Sequence, residues 1–283
     1  MTGGSGYLGR HLVRLATAGY PGEFRYTTFT TDPHGLPEGV HLDIRDGRAV
    51  ERLVGDFVPN VIIHTIGSNR PADMAAVIVE GTRQVTAAAT AVQARIVHIS
   101  TDALFDGTAA PYDESAPPAP INEYGRAKAS AEDLVRRTAD HVIVRTSLIY
   151  GLEEMDNGTA WMAAALQAGQ PVTLFTNQRR NPVWVNTLCE ACLELIDHPY
   201  QGVLNIAGRQ VLTRVDFGLR LLDWWGITTR ESLVFGPDAS GRWPLDCELD
   251  VGLAGRLLAT PLAGVDEVIA AQSGRLDSLK ESA

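Results

Sequence analysis

Cysteine, lysine and long apolar runs are all scarce in this chain of 283 residues. Its three cysteines, Cys189, Cys192 and Cys247, are too few and odd in number for a secreted disulfide framework, and they suit a reducing compartment. Cys189 and Cys192 have C-x-x-C spacing, but they lie in LCEACLEL, an amphipathic helical pattern with no second Cys or His pair nearby. They read as core residues. No stretch of membrane-spanning length stays apolar: the longest uncharged run, Asn157 to Gln178, is broken by Asn, Gly, Gln and Pro. The start, MTGGSGYLGR, shows no basic region followed by an apolar core, so no export signal is visible and the cytoplasm is the expected location. Basic charge is also in deficit, 24 bases against 34 acids for a net charge of -10, which argues against a nucleic-acid or anionic-membrane surface.

What is present is an ordinary globular composition, 45% apolar and 20% charged, long enough to bury a core without disulfides or metal. Apolar runs of strand length recur at FRYTTF, NVIIHTI, ARIVHIS, HVIVRTS and GVLNIA, and amphipathic helical stretches separate most of them. That alternation predicts an α/β fold, a Rossmann-like doubly wound parallel sheet between helical layers. After about residue 150 the rhythm loosens into loops bearing Pro and Gly. The expected division is a dinucleotide-binding unit over 1–155, rejoined by 182–208, and a smaller substrate lobe over 156–181 and 209–283.

The first motif is Thr2-Gly3-Gly4-Ser5-Gly6-Tyr7-Leu8-Gly9, directly followed by the helical pattern RHLVRLATAG. Glycines at 3, 6 and 9 let backbone amides approach a pyrophosphate at a helix N-terminus, where free N–H groups and the helix dipole favour an anion. A Gly-rich tight turn is the plainer reading of the spacing alone. In a dinucleotide-binding fold such a turn follows a buried central strand, and here only Met1 and Thr2 precede it. Four or five buried residues at roughly 1.5–3 kcal/mol each would rival the entire stability of a domain, about 5–15 kcal/mol. The first strand is therefore expected to lie upstream of Met1, with cofactor affinity impaired in a chain that lacks it.

The second motif is Tyr124-Gly-Arg-Ala-Lys128. With seven Tyr and two Lys, chance predicts about 0.05 such pairs four residues apart. On a helix the two share a face, so the ammonium is expected to stand near the phenol, lower its pKa and reach a ribose. The third is Ser100-Thr101-Asp102, at the end of the strand RIVHIS and hence at the carboxyl edge of the sheet, where doubly wound folds bind ligands. A hydroxyl there could hold a substrate carbonyl or cap a turn.

The run VHISTDALFDGTAAPYDESAPPAPINEYGRAKASAE resembles the signature of the dTDP-4-dehydrorhamnose reductases, within the extended short-chain dehydrogenase/reductases. TGGSGYLG, LDIRD, RTSLIYG, NPVWVN, GVLNIAG, LTRVDFG and RWPLDCELD resemble further blocks of that family in the same order, so the likeness spans almost the whole chain. It implies reduction of the C4 ketone of a nucleotide-linked 4-dehydro-6-deoxysugar by NADPH or NADH. Carried over by position, Thr101, Tyr124 and Lys128 form the catalytic set. The cofactor would be lined by Gly3, Ser5, Gly6, Tyr7, Leu8, Thr30, Asp43, Ile44, Thr65, Ile66 and Gly67 together with Tyr124 and Lys128. Asp102, Phe105, Ser147, Arg179, Asn181 and Arg242 would meet the substrate, and no metal is required.

This sequence departs from the family pattern at Ile78, where the superfamily usually has Asn, at Thr187 and Trp243, and in the absent first strand. These departures keep two other readings open. One is a non-catalytic NAD(P)-binding regulator similar to the regulatory subunit of methionine adenosyltransferase, and the other a nucleotide-sugar epimerase or dehydratase. At the end of the second expected strand, Thr28-Phe29-Thr30-Thr31-Asp32 puts hydroxyls where an acid would select NAD, which leans the expectation to NADP although no Arg is adjacent. His64 and His98 lie in apolar strands without ligand-spaced partners and read as core histidines. Trp224 and Trp225 read as core packing, with an interface or substrate wall as the rival. Arg179 and Arg180 read either as surface charges or as a diphosphate clamp. Homodimers are common among relatives of this family.

Overall fold

The computed structural model describes residues 1–67 and 73–281, with side chains to Gly274. In chain order its first half comprises α1 (Tyr7–Gly19), β1 (Tyr26–Thr28), β2 (Gly39–His41), α2 (Gly47–Phe57), β3 (Val61–His64), α3 (Met74–Val92), β4 (Arg95–Ile99), α4 (Glu123–Val135) and β5 (His141–Arg145). The second half adds β6 (Ile149–Tyr150), α5 (Asn157–Gln167), β7 (Val172–Phe175), β8 (Arg179–Arg180), β9 (Val183–Trp184), α6 (Val185–Glu194), β10 (Gly202–Asn205), β11 (Leu212–Thr213), α7 (Arg214–Trp224), β12 (Leu233–Gly236), α8 (Gly252–Leu257) and α9 (Val265–Glu281).

The five apolar runs become β1, β3, β4, β5 and β10, and the last four form one parallel sheet in the order β10-β5-β4-β3. Alternation along the strands assigns each side chain to a face. Ile63, Val97, Ile99, Val142 and Val144 pack with Leu8 and Leu12 of α1 and with Leu188, Cys189 and Cys192 of α6. Their neighbours Ile62, Ile96 and Ile143 pack on the other side with Val50 of α2 and Val85, Ala88 and Ala89 of α3. Strands apolar on both faces require two helical layers, so the sequence specifies the doubly wound architecture directly. All three cysteines are fully buried, Cys189 and Cys192 in this core and Cys247 against Leu104, Phe105 and Leu249.

The sheet differs from the expected one at a single place. β1 and β2 pair only with each other, and the backbone joining them to the main sheet is the short segment Met1–Gly4. Thr2 N–H donates to Ile63 O at 3.0 Å on one side, while Met1 O accepts Thr27 N–H at 3.0 Å and Gly4 N–H reaches Thr27 O at 2.7 Å on the other. Two residues thus hold the position of a strand.

Beyond β6, apart from α6 and β10, which belong to the main sheet, the strands form two-stranded pairs, β6 with β9, β7 with β12 and β8 with β11, accompanied by α5, α7 and α9. They close on separate apolar clusters, one around Met162, Leu166, Leu174 and Leu222 and another around Tyr150, Phe217, Leu221 and Val265. Among the described residues no helix is long and apolar enough to cross a membrane.

At the head of the fold, Gly6 N–H bonds Gly3 O at 2.9 Å, and α1 begins at once. A Cβ on Gly9 would stand 2.0 Å from Gly3 O, so only glycine lets the helix approach the turn this closely. Gly9→Ala is expected to displace α1 and cost about 1–3 kcal/mol, read as a lower urea midpoint; an unchanged midpoint would show that the turn tolerates the methyl.

Candidate active site

The carboxyl ends of β3 and β4, the N-terminus of α1 and one face of α4 converge. Asn122 caps α4, its side-chain oxygen accepting Gly125 N–H at 2.8 Å. This start places Tyr124 in the first turn and Lys128 one turn later on the same face. Lys128 is 2% exposed and its Nζ donates to Ile99 O, the last residue of β4, at 2.6 Å. The Tyr124 phenol is half-buried and neighbours the Thr101 hydroxyl, which favours its ionised form, while the Thr101 hydroxyl itself donates to Asp102 Oδ1 at 3.4 Å. Thr101 Oγ1 also accepts Ala103 N–H at 3.2 Å, which fixes its orientation at the strand end. The structure therefore brings Thr101, Tyr124 and Lys128 together.

Ser100 does something else. Its hydroxyl donates to Glu132 Oε1 at 2.6 Å, and Glu132, fully buried, also receives Arg145 Nε at 3.1 Å, Arg145 Nη2 at 3.0 Å and Arg136 Nη2 at 2.9 Å. Arg145, 1% exposed, completes its fork on Ala116 O at 3.0 Å. This ionic knot ties α4 to β4 and β5. Sequence reading missed it, although Tyr124, Lys128 and Glu132 at i, i+4 and i+8 share a helical face, and a carboxylate on a face turned to the sheet demands a cation.

Electrostatics corrects one expectation. The phenol was expected to be acidified by its ammonium neighbour, but burial and the negative charge of Asp102 push Tyr124 up to about 12. Desolvation lowers Lys128 to about 8, partly opposed by Glu132. Burial outweighs the charge pair because the ammonium is aimed at Ile99 O. The phenol consequently stays protonated at neutral pH.

The expected cofactor residues line one continuous edge. Gly3 packs against Thr65 and Ile66: a Cβ there would lie 2.7 Å from Thr65 Oγ1 and 3.0 Å from Ile66 Cγ1. Gly67, at φ 145°, brings its backbone beside the catalytic face, and a Cβ would stand 3.1 Å from Lys128 Nζ and 3.4 Å from Ile78 Cγ1. Ile78, 1% exposed, thus sits as apolar packing next to the ammonium. Ser5 is half-buried and Gly6 exposed, and α1 has no side-chain cap, which leaves its first amides available. Leu8 is buried in the core, and the Tyr7 hydroxyl donates to Glu154 O at 2.9 Å, so at both positions only the backbone faces the turn's ligand side. Thr30 is exposed after β1. Asp43 is half-buried and pairs with Arg45 at 2.8 Å, while Ile44 is buried against Gly81. Arg45 was not read from the sequence; folding carries its guanidinium to within 5.8 Å of the Phe29 ring, beside Thr30.

On the substrate side, Asp102 is buried, accepts Ser147 Oγ at 2.6 Å and faces Arg180 Nε at 3.4 Å. Arg180, one of two residues read either as surface charges or as a clamp, is 6% exposed and tied to the carbonyls of Arg179, Pro244 and Leu245, so it is no surface charge. Arg179 is exposed and pairs with Asp246 and Glu248. Arg242 is exposed, and its carbonyl accepts Asn122 Nδ2 at the head of α4. Two residues expected to meet the substrate are enclosed by their neighbours. Phe105 is fully buried, stacked on Tyr112 at 4.0 Å under Arg145. Asn181, 1% exposed, spends its amide on Leu249, donating to its carbonyl at 2.9 Å and accepting its N–H at 3.0 Å. Both are side chains that a polar or aromatic pocket needs, but their neighbours claim them first.

The rings of His64 and His98 meet in the core at 5.2 Å between centroids, tilted by 31°. Trp224 donates to Leu152 O at 2.8 Å. Among the described residues no group of His, Cys, Asp or Glu could hold a metal ion.

The family model described as the RmlD substrate binding domain matches residues 1–234. A dTDP-4-keto-6-deoxy-D-glucose reductase of Streptomyces niveus is 33% identical over 221 residues, covering 72% of this chain and 70% of that protein. Methionine adenosyltransferase 2 subunit beta of Mus musculus is 25% identical over 273 residues, covering 87% and 79% respectively. A solved structure described as a hypothetical dTDP-4-dehydrorhamnose reductase from Sulfolobus tokodaii superposes with a TM-score of 0.80 at 26% identity, covering 93% of this chain and 96% of that one.

Replacing Glu132 by Gln strands the buried Arg145 charge, and the expected loss is about 3–5 kcal/mol in chemical denaturation. A loss below ~1 kcal/mol would show that the knot is not what holds α4.

Proposed function

The chain belongs to the RmlD substrate binding domain family, and we propose that it reduces the C4 ketone of a nucleotide-linked 4-dehydro-6-deoxysugar, using NADPH or NADH. The single observation that carries this reading is the cluster itself: a protonated phenol, a neighbouring hydroxyl and a buried ammonium one helical turn away, all at the carboxyl edge of the sheet beside the glycine turn.

The residues present fit a dinucleotide. Gly3, Gly6 and Gly9 form a cradle that side chains would fill, and the uncapped α1 N-terminus offers amides and a positive dipole end to a pyrophosphate. Lys128 and Tyr124 would hold the nicotinamide ribose, with Thr65, Ile66 and Gly67 passing alongside. The bound reduced nicotinamide would supply a hydride to the ketone carbon. Thr101 would hydrogen-bond the ketone oxygen, and Tyr124, protonated through neutral pH, would give its proton to the developing alkoxide. Asp102, Ser147 and Arg180 would shape the sugar side. Arg179 and Arg242 are exposed cations for the diphosphate, on the lobe formed by 156–181 and 209–283.

At the adenosine end the Asp32 carboxylate accepts the Tyr26 hydroxyl and His34 N–H, each at 3.0 Å, leaving the Thr30 hydroxyl and Arg45 at the ribose corner. This supports NADP over NAD. A regulatory role is the second reading, supported by the extent of the likeness to the methionine adenosyltransferase subunit, but the assembled Thr101–Tyr124–Lys128 cluster is what chemistry requires and a regulator does not.

Tyr124→Phe is expected to lower kcat roughly 10²–10⁴-fold with NADPH and dTDP-4-dehydro-6-deoxysugar while leaving NADPH binding within a few-fold of the parent. Equal turnover by the two proteins would remove the catalytic assignment. Because Lys128 loses its positive charge above about pH 8, kcat/KM is expected to fall as pH rises through that value. A profile flat from pH 7 to about 10 would show that the ammonium's charge is not used.

A further inference from the structure

Arg214, the first residue of α7, is a cation without a counterpart. Among the described residues it is the one arginine that is not exposed and yet has neither a hydrogen-bond acceptor nor a carboxylate within reach of its guanidinium. Burial and the charge of Arg180 hold it below the usual arginine range, and Asp156 and Asp102 offset them only in part. Its place at the positive end of the helix dipole adds to the strain. A cation half withdrawn from water beside a second cation is destabilising, and nothing inside the chain compensates it.

The ribbon of β8 and β11 sets where this side chain stands. Leu212 lies opposite Arg180, Thr213 lies opposite Arg179, and Arg214 N–H donates to Gln178 O at 2.9 Å. Side chains alternate along a strand, so Arg214 follows Leu212 onto the face that carries Arg180. Arg180 Nε faces Asp102 Oδ2 at 3.4 Å, and Asp102 adjoins Thr101. A line of polar groups thus leads from Tyr124 and Thr101 through Asp102 and Arg180 to Arg214. The two carboxylates whose charge reaches Arg214 are engaged elsewhere. Asp102 accepts Ser147 Oγ at 2.6 Å and pairs with Arg180, while Asp156 caps α5, accepting Gly158 N–H at 2.8 Å and Thr159 N–H at 3.0 Å. The Phe217 ring, 6.0 Å from the guanidinium carbon, backs the side chain.

We propose that Arg214 is the anion-binding residue of the substrate site, gripping the phosphate on the anomeric carbon of the nucleotide sugar; this deepens, and rests on, the reduction proposed above. In a pyranose ring C1 lies across from C4. A ketone held at Thr101 and Tyr124 therefore directs C1 and its phosphate away from them, along the line that ends at Arg214. The exposed Arg179 is already neutralised by Asp246 and Glu248, whereas the fork of Arg214 is free to take two phosphate oxygens.

The test compares the parent protein with Arg214→Gln, Arg214→Lys and Arg179→Gln. Binding of dTDP, UDP, thymidine and inorganic phosphate is measured by calorimetry with NADPH saturating, so that the glycine turn is filled. Arg214→Gln is expected to bind both diphosphates at least about tenfold more weakly, with Arg214→Lys in between and Arg179→Gln within about threefold of the parent. Without ligand, Arg214→Gln is expected to keep or raise Tm, because it removes an uncompensated cation from the start of α7. Equal diphosphate affinity in the parent and Arg214→Gln would overturn the assignment. So would inorganic phosphate binding the parent as tightly as dTDP, which marks a free-anion site, or a Tm loss above about 3 °C in Arg214→Gln, which marks a structural tie to Asp156. A parent that binds dTDP through Arg214 but reduces no ketone would remove the reduction and leave the diphosphate contact standing.

Discussion

One buried carboxylate holds in place the face of α4 that carries Tyr124 and Lys128. Glu132 gathers Ser100 from the end of β4, Arg145 from the end of β5 and Arg136 from its own helix. A charge taken from water at this depth is tolerated only where several donors meet it, and each donor comes from a different element. The knot therefore fixes the roll of α4 about its axis as well as its position. Lys128, one turn away, is thereby aimed at Ile99 O, and Tyr124, one turn further, at Thr101. Without that roll a phenol and an ammonium four residues apart would share a face but not a target.

The same burial sets the chemistry. In water the ammonium would stabilise a phenolate; here the low polarity of the site raises the phenol and lowers the ammonium. Ile78 contributes by placing a hydrocarbon near Lys128 Nζ where a polar side chain would have offered a second partner. The resulting pair is better suited to giving a proton than to taking one, which matches reduction of a ketone more closely than oxidation of an alcohol. That asymmetry comes from packing and is invisible in the spacing of Tyr124 and Lys128.

The α/β alternation was legible because double-sided burial leaves continuous apolar runs, and all five runs became strands. Thr101, Tyr124 and Lys128 were legible because a helical period and a strand end are local features. Contacts formed across long separations were not. Asn181 looked like a ligand-facing amide until Leu249, 68 residues on, took both its polar atoms. Phe105 is enclosed for the same reason, since Tyr112 and Arg145, which bury it, are set by tertiary folding, and Pro244 and Leu245 likewise decide between the two readings of Arg180 by removing it from the surface. Arg45 reaches the Phe29 ring from sixteen residues away, a juxtaposition made by the pairing of β1 with β2.

The sheet edge next to the glycine turn links these themes. Gly3 is placed between Thr27, Thr65 and Ile66 by its own N–H, which donates to the Thr27 hydroxyl at 3.2 Å, and by the hydrogen bonds of Thr2 and Gly4. A turn anchored by two residues has little resistance to sliding, because each of its hydrogen bonds is at the end of a ladder and none is in the middle. In the proposed reduction the two cradles, one for a pyrophosphate and one for a ketone, would have to keep a fixed separation to within about half an ångström. The α4 knot secures the second cradle, and the hydrogen bonds that tie Thr2, Gly3 and Gly4 to Ile63, Thr65 and Thr27 secure the first.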